Sequence, residues 1–130
     1  MNRPKPAGLL GEQTAEWVLV REGWQIIDRQ VRAAGGHVLD LLGVHPVYGG
    51  EWLVEVKVWG PEPSGRDTIK KAIADAYDLQ QLAETRPLLL VMSHRLEGLH
   101  GDMLRRALRA GAINEVRIIG STEHYGEARP

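Results

Sequence analysis

The stretch VLDLLGVHPVYGGEWLVEVKV, residues 38–58, contains two apolar segments separated by a turn that is rich in proline and glycine. Asp40 lies in the first segment, and Glu55 and Lys57 lie on either side of Val56 in the second. Side chains two residues apart on a strand share a face, so Glu55 and Lys57 point the same way. If the two segments pair as a hairpin, Asp40 comes close to Glu55. The stretch therefore predicts two carboxylates and one ammonium group at one edge of a small sheet.

These charges have two interpretations. An opposite-charge pair is common on an exposed strand, where it contributes roughly 0.2–1 kcal/mol of stability. Here the pair lies within an apolar run, and a charge is costly to bury there unless it is paired or has another use. Taken alone, the pair favours a surface salt bridge, and its position within the apolar run is evidence for a metal-and-nucleophile site.

The length and bulk composition predict one compact domain, and the order of predicted elements given below makes it α/β. The chain has 130 residues, of which 43% are hydrophobic and 25% charged, as in ordinary globular proteins. It has no cysteine, which excludes a disulfide scaffold, a thiolate zinc site and a cysteine nucleophile.

No apolar run reaches the roughly 20 residues that a bilayer requires, so we expect a cytoplasmic protein without a membrane partner. The net charge of −1 means that nucleic acid would need a local basic patch.

Hydrophobic periodicity predicts the order α-βββ-α-β-α-β. The expected elements are helix 7–21, strands 24–31, 37–44 and 51–58, helix 67–85, strand 88–92, helix 102–110 and strand 116–119. In the first helix, Glu16 is expected on a solvated face. The buried stripe of the second helix is expected to be Ile69, Ala72, Ile73, Ala76, Leu79 and Leu82. Three consecutive strands followed by crossover helices predict a mixed sheet with helices on its faces. Residues 1–6 are expected to be a flexible arm, residues 7–120 the single domain, and residues 121–130 a tail.

A set of residues around the first helix and the hairpin carries a family resemblance. The set is Gly11-Glu12-Gln13-Thr14-Ala15, Leu19, Gly23-Trp24, Ile26-Ile27, Arg29, Arg32, Leu39-Asp40-Leu41-Leu42 and Leu53-Val54-Glu55-Val56-Lys57. With these residues the chain resembles the PD-(D/E)xK nuclease superfamily, whose fold is restriction-endonuclease-like. Within it, the chain is similar to a small uncharacterised bacterial group related to Holliday-junction resolvases. The resemblance covers roughly residues 8–85.

The resemblance implies a site for Mg²⁺ or Mn²⁺. Asp40 and Glu55 would hold the ion, the main-chain carbonyl of Val56 would be a third ligand, and Glu12 would complete the shell directly or through water. Lys57 would orient the attacking water and help to deprotonate it. This set of roles requires the carboxylates of Glu12, Asp40 and Glu55 to meet in one cleft.

Further residues are candidates for contact with DNA. The expected phosphate contacts are Arg29, Arg32, Arg66, Lys70 and Lys71. A charged, solvated surface explains these residues equally well. Possible accessory residues on the second helix are Tyr77 and Gln81, with Gln80 as the alternative glutamine.

Two functions are compatible with this sequence. The first is a metal-dependent DNA endonuclease, in a form that is structure-selective and homodimeric like the resolvases. The second is a nucleic-acid-binding or protein-interaction domain that keeps the fold with weak or no catalysis. The near-zero net charge favours the second, as does Gly35-Gly36-His37-Val38, where the bacterial group has a Gly-Glu pair.

Overall fold

The computed structural model describes residues 7–57 and 65–119, with side chains described for residues 11–57 and 68–119. The arm expected at 1–6 and the tail expected at 121–130 lie outside these ranges, and the domain bounds stay predictions. No helix within the ranges is both long and apolar enough to cross a membrane.

The order of elements confirms the predicted α-βββ-α-β-α-β. The elements are α1 at Ala7–Arg21, β1 at Gln25–Arg32, β2 at Val38–Val44, β3 at Glu51–Lys57, α2 at Gly65–Gln81, β4 at Leu88–Met92, α3 at Gly98–Ala110 and β5 at Glu115–Ile118. A short 3-10 turn at Ala34–Gly36 connects β1 to β2.

Two helix ends differ from the prediction. Helix α2 stops at Gln81, four residues early, because Ala83 adopts a left-handed backbone (φ 60°) and the amide of Glu84 bonds back to the carbonyl of Leu79. Leu82 therefore falls outside the helix and is 46% exposed, so its expected place in the buried stripe is wrong. Helix α3 begins at Gly98, four residues before the predicted start. The apolar residue of its first turn, Leu99, is exposed and so does not belong to the buried stripe from which the start was predicted.

The strands form one mixed sheet in the order β1-β2-β3-β4-β5. The pairs β1–β2 and β2–β3 are antiparallel, whereas β3–β4 and β4–β5 are parallel, as predicted. Ala15 and Leu19 of α1 pack on one face, and α2 and α3 cover the other. Every residue of β4 is buried, as expected of a strand covered on both faces.

Strand β3 fixes which side chains reach each face. Val54 and Val56 belong to the core under α1, whereas Leu53 belongs to the core under α2. Because side chains alternate along a strand, Glu55 and Lys57 point to the α2 face.

His45 closes the turn between β2 and β3. Its side chain is buried, and Nδ1 accepts hydrogen bonds from the amides of Val47 and Tyr48 at 3.0 and 3.1 Å. Nε2 then carries the proton and donates to Glu115 Oε1 at 2.7 Å. The hairpin is thereby tied to the start of β5.

Glu84 ties the end of α2 to the connection between β1 and β2. Its carboxylate accepts hydrogen bonds from the amides of Ala34 and Arg86 and from Arg86 Nε, each at 3.0 Å. Arg86 Nη2 in turn donates to the carbonyl of Arg32 at 3.0 Å. The hydrogen bonds from the Arg86 side chain, followed by those from the two amides, hold the pKa of Glu84 at about 2, below its usual 4.5.

We expect Glu84→Gln to lower the free energy of unfolding at pH 7 by about 1–3 kcal/mol, because the neutral amide loses charge-assisted hydrogen bonds. The folded pKa is depressed, so the stabilisation is present above the unfolded pKa of 4.5 and fades as the pH falls toward about 2. Denaturant unfolding at several pH values would measure this difference. The control is Glu97→Gln, whose side chain is 80% exposed. A Glu84→Gln deficit that stays constant with pH would contradict the argument.

Candidate active site

Strands β2 and β3 separate at Asp40. Their ladder runs from the pair of Val44 and Glu51 to the pair of Leu41 and Val54, and the next position would place Asp40 opposite Glu55. There, the amide of Val56 donates to Asp40 Oδ2 at 2.7 Å. A side-chain carboxylate thus accepts a hydrogen bond that a neighbouring strand would otherwise accept.

Glu55 and Lys57 lie together on β3 but are not an exposed surface pair. Lys57 Nζ is 3.7 Å from Glu55 Oε2, and the two side chains are only 23% and 13% exposed. Burial, followed by the hydrogen bond and the charge of Asp40, raises the pKa of Glu55 from 4.5 to about 8, against the opposing effect of Lys57. Two acidic groups therefore share a poorly hydrated space.

Glu12 brings a third carboxylate from α1. Burial is the largest cause of its raised pKa, followed by the charge of Asp40 and a hydrogen bond with it, whereas the charge of Lys57 lowers it. Asp40 therefore acts on the pKa values of both Glu12 and Glu55, as a close acidic neighbour does. The three carboxylates meet around Asp40, where α1, β2 and β3 come together.

The donor chemistry of this cluster suits a hard divalent cation. Mg²⁺ prefers oxygen ligands, and a positive ion would relieve the repulsion that raises the pKa values of Glu12 and Glu55. The N–H and C=O of one strand residue point toward the same neighbouring strand, so the carbonyl of Val56 faces the side on which Asp40 lies. Its carbonyl can therefore be added to the candidate ligands.

The side chains do not form a coordination shell as they stand. In the described ranges, no group of three or more acidic or histidine side chains is arranged to hold a metal ion. One oxygen of Asp40 faces the amide of Val56, while Glu12 comes from the α1 side of the sheet and Glu55 from the α2 side. Coordination would require these side chains to rotate.

The cations expected to contact DNA are differently placed. Arg29 is 62% exposed, but its Nε donates to Glu16 Oε1 at 2.9 Å and its Nη2 pairs with Glu16 Oε2. Glu16, expected on a solvated face, is 25% exposed and forms an ion pair there. Lys71 is 74% exposed and bonds Asp75 at 2.9 Å.

Three further cations complete the set. Arg32 and Lys70 are exposed, and neither side chain has a partner within the ranges that the structure describes. The side chain of Arg66 lies outside those ranges.

The accessory candidates lie in the second half of α2. Tyr77 packs against the core under α2, and Gln81 is exposed at the end of the helix. Gln80 donates to the carbonyl of Ala110 at 2.6 Å, which gives it a structural contact with α3. The charges on α2 that influence Glu55 belong to Lys71 and Asp75.

Two residues near the carboxylates escaped the sequence analysis. Asp75 contributes to the raised pKa of Glu55, and only its helical spacing of four from Lys71 could have signalled it. Gln30 donates to Glu12 Oε1 at 3.4 Å and has a left-handed backbone with φ 52°. No sequence pattern indicates a left-handed glutamine, although the strand register places it opposite Asp40.

The mixed five-stranded sheet with helices on both faces is a restriction-endonuclease-like fold. Among solved structures, the chain is similar to EndoMS in a complex with double-stranded DNA. The sequence identity is 15%, the match covers 95% of this chain and 48% of that chain, and the TM-score is 0.52.

The chain is also similar to SfsA of Pyrococcus furiosus in complex with Ca²⁺. The sequence identity is 24%, the match covers 84% of this chain and 52% of that chain, and the TM-score is 0.41. This chain spans about half the length of either structure. No protein-family model and no curated protein matches the sequence. The similarity to EndoMS establishes the fold alone.

We expect Glu55→Gln to stabilise the metal-free protein at alkaline pH. The folded pKa of Glu55 lies above its unfolded value, so the folded state retains a proton that the unfolded chain releases, and stability falls as the pH rises from 4.5 to about 8. Above that range the variant should be more stable than the wild type by about 1–3 kcal/mol.

Denaturant unfolding with a chelator present, near pH 5 and near pH 9, would measure this effect. Glu97→Gln is the matched control, because the Glu97 side chain is 80% exposed. Equal wild-type and Glu55→Gln stabilities at both pH values would show that Glu55 titrates normally.

Proposed function

We propose that this protein is a divalent-metal-dependent endonuclease that hydrolyses DNA phosphodiester bonds. The observation that carries the proposal is the meeting of Glu12 and Glu55 on Asp40, with Lys57 3.7 Å from Glu55, on a restriction-endonuclease-like fold. The similarity to EndoMS, whose structure contains double-stranded DNA, adds support for DNA as the partner.

Asp40 and Glu55, with the main-chain carbonyl of Val56 and with Glu12, would hold Mg²⁺ or Mn²⁺. A bound divalent ion supplies positive charge to the phosphate oxygens and lowers the pKa of water. Asp40 is prepared for this role because the amide of Val56 fixes its orientation. A cation would also allow Glu55 to ionise near neutral pH, where burial otherwise keeps it protonated.

Lys57 would act on the attacking water and on the phosphate. It shares the α2 face of β3 with Glu55, and its Nζ lies 3.7 Å from Glu55 Oε2. Its ammonium group can donate hydrogen bonds to a water and to a phosphate oxygen, and it offsets the negative charge that develops as the phosphorus–oxygen bond forms.

The exposed cations would contact the DNA backbone. Arg32 and Lys70 can do so directly, whereas Arg29 and Lys71 would exchange Glu16 and Asp75 for phosphate. We include Arg66 in the same set from its sequence position. Structure-selective cleavage by a homodimer remains part of the proposal.

We expect purified protein to cleave at least one of duplex, single-stranded or branched DNA when Mn²⁺ or Mg²⁺ is present, and a chelator to abolish the cleavage. Asp40→Asn and Lys57→Ala should each lower the rate by about 100-fold or more, because each removes a charge that acts on the transition state. Gel assays on labelled DNA would measure the rates, and circular dichroism would verify folding. Glu97→Gln, on the exposed start of α3, is the control expected to keep the wild-type rate. Absence of cleavage on every DNA form would contradict the proposal.

A second candidate is a nucleic-acid-binding domain with weak or no catalysis. It is favoured by the lack of a formed coordination shell in the described ranges. Such a domain would bind DNA with an affinity indifferent to Mn²⁺ and to Glu55→Gln. Binding that requires the cation, or that changes with Glu55→Gln, would exclude it.

A further inference from the structure

Two consecutive residues of β1 reach the same helix. Arg29 bonds Glu16, and Gln30 Nε2 donates to Glu12 Oε1 at 3.4 Å. Glu12 and Glu16 are four residues apart on α1 and therefore lie one above the other on one side of it. Consecutive side chains on a regular strand point to opposite faces, so one of the two strand residues must depart from strand geometry.

Gln30 is the residue that departs. Its φ is 52°, in the left-handed region that residues other than glycine, asparagine and aspartate rarely adopt. This backbone turns the amide group of Gln30 to the side that Arg29 already faces. Such a conformation costs free energy and persists only where the surroundings impose it, often at functional sites.

The sheet register places this departure beside the candidate site. Arg29 pairs with Leu41 and Val31 pairs with Leu39, so Gln30 lies opposite Asp40 on the neighbouring strand. Asp40 is also the residue at which β2 leaves β3. The carboxylate that Gln30 contacts, Glu12, is in turn in contact with Asp40.

We propose that Gln30 is a positioning residue whose left-handed backbone aims its side-chain amide at Glu12 and holds that carboxylate beside Asp40. The inference rests on the proposed metal-dependent function, because it gives Gln30 the role of orienting a ligand. Hydrogen-bonding partners of metal ligands typically contribute about 10–100-fold to metal affinity or to activity.

Two substitutions separate the backbone from the amide donor. Gln30→Gly removes the amide but accepts a positive φ without strain, so the melting temperature should equal or exceed that of the wild type. Gln30→Glu keeps the length and the strained backbone but presents a carboxylate, which cannot donate to Glu12. The control is Ala83→Gly, which relieves a left-handed backbone (φ 60°) at the end of α2.

The measurements are the cleavage rate, the melting temperature and the Mn²⁺ dissociation constant, obtained by fitting the rise in melting temperature with Mn²⁺ concentration. We expect both Gln30 variants to lose about 10-fold or more in rate and to need about 10-fold more Mn²⁺. Their melting temperatures should differ, because Gln30→Gly relieves the positive φ whereas Gln30→Glu keeps it and places a second carboxylate beside Glu12. Ala83→Gly should gain stability and keep the wild-type rate and Mn²⁺ response.

Wild-type rate and Mn²⁺ response in Gln30→Gly would overturn the inference while leaving the endonuclease proposal intact. If the wild type cleaves no DNA, the endonuclease proposal fails and the Mn²⁺ response alone decides the role of Gln30. In that case a roughly 10-fold weaker response in both Gln30 variants supports the inference. An unchanged response, or a wild type whose melting temperature ignores Mn²⁺, overturns it.

Discussion

The hydrogen bond from the Val56 amide to Asp40 Oδ2, at 2.7 Å, is the contact on which the candidate site depends. An antiparallel ladder satisfies the amides of both strands, and strands that separate must find other partners. Here the carboxylate of Asp40 is that partner. The bond ends the pairing of β2 and β3, fixes the orientation of Asp40, and leaves the carbonyl of Val56 facing the same gap.

Bringing several acidic groups together costs folding free energy, which the rest of the fold offsets. Burial and the neighbouring Asp40 raise the pKa values of Glu12 and Glu55, and the single ammonium group of Lys57 offsets only part of the repulsion. A group of acids that served stability alone would be better solvated or fully paired, as Glu84 is with Arg86. Perturbed carboxylates gathered around one residue, Asp40, are a physical reason to expect function there.

The order of elements followed from local patterns, because apolar periodicity and turn residues report directly on helices, strands and connections. The pattern was weaker where a backbone conformation, not apolar spacing, ended an element. Helix α2 stops at a left-handed alanine, Ala83, which the continuing pattern through Leu82 does not reveal. The early start of α3 has a different cause. Leu99 in its first turn is exposed, so no buried apolar stripe marks where the helix begins.

The sequence by itself determined the mixed α/β sheet and the acidic and basic residues of one hairpin, because strand alternation and turn chemistry are local rules. Only the tertiary structure decided which groups meet. It brought Glu12 of α1 to Asp40, committed Arg29 to Glu16, and aimed Gln30 at Glu12 through a positive φ. These outcomes depend on the packing of α1 and on where two strands part, and no spacing along the chain encodes either.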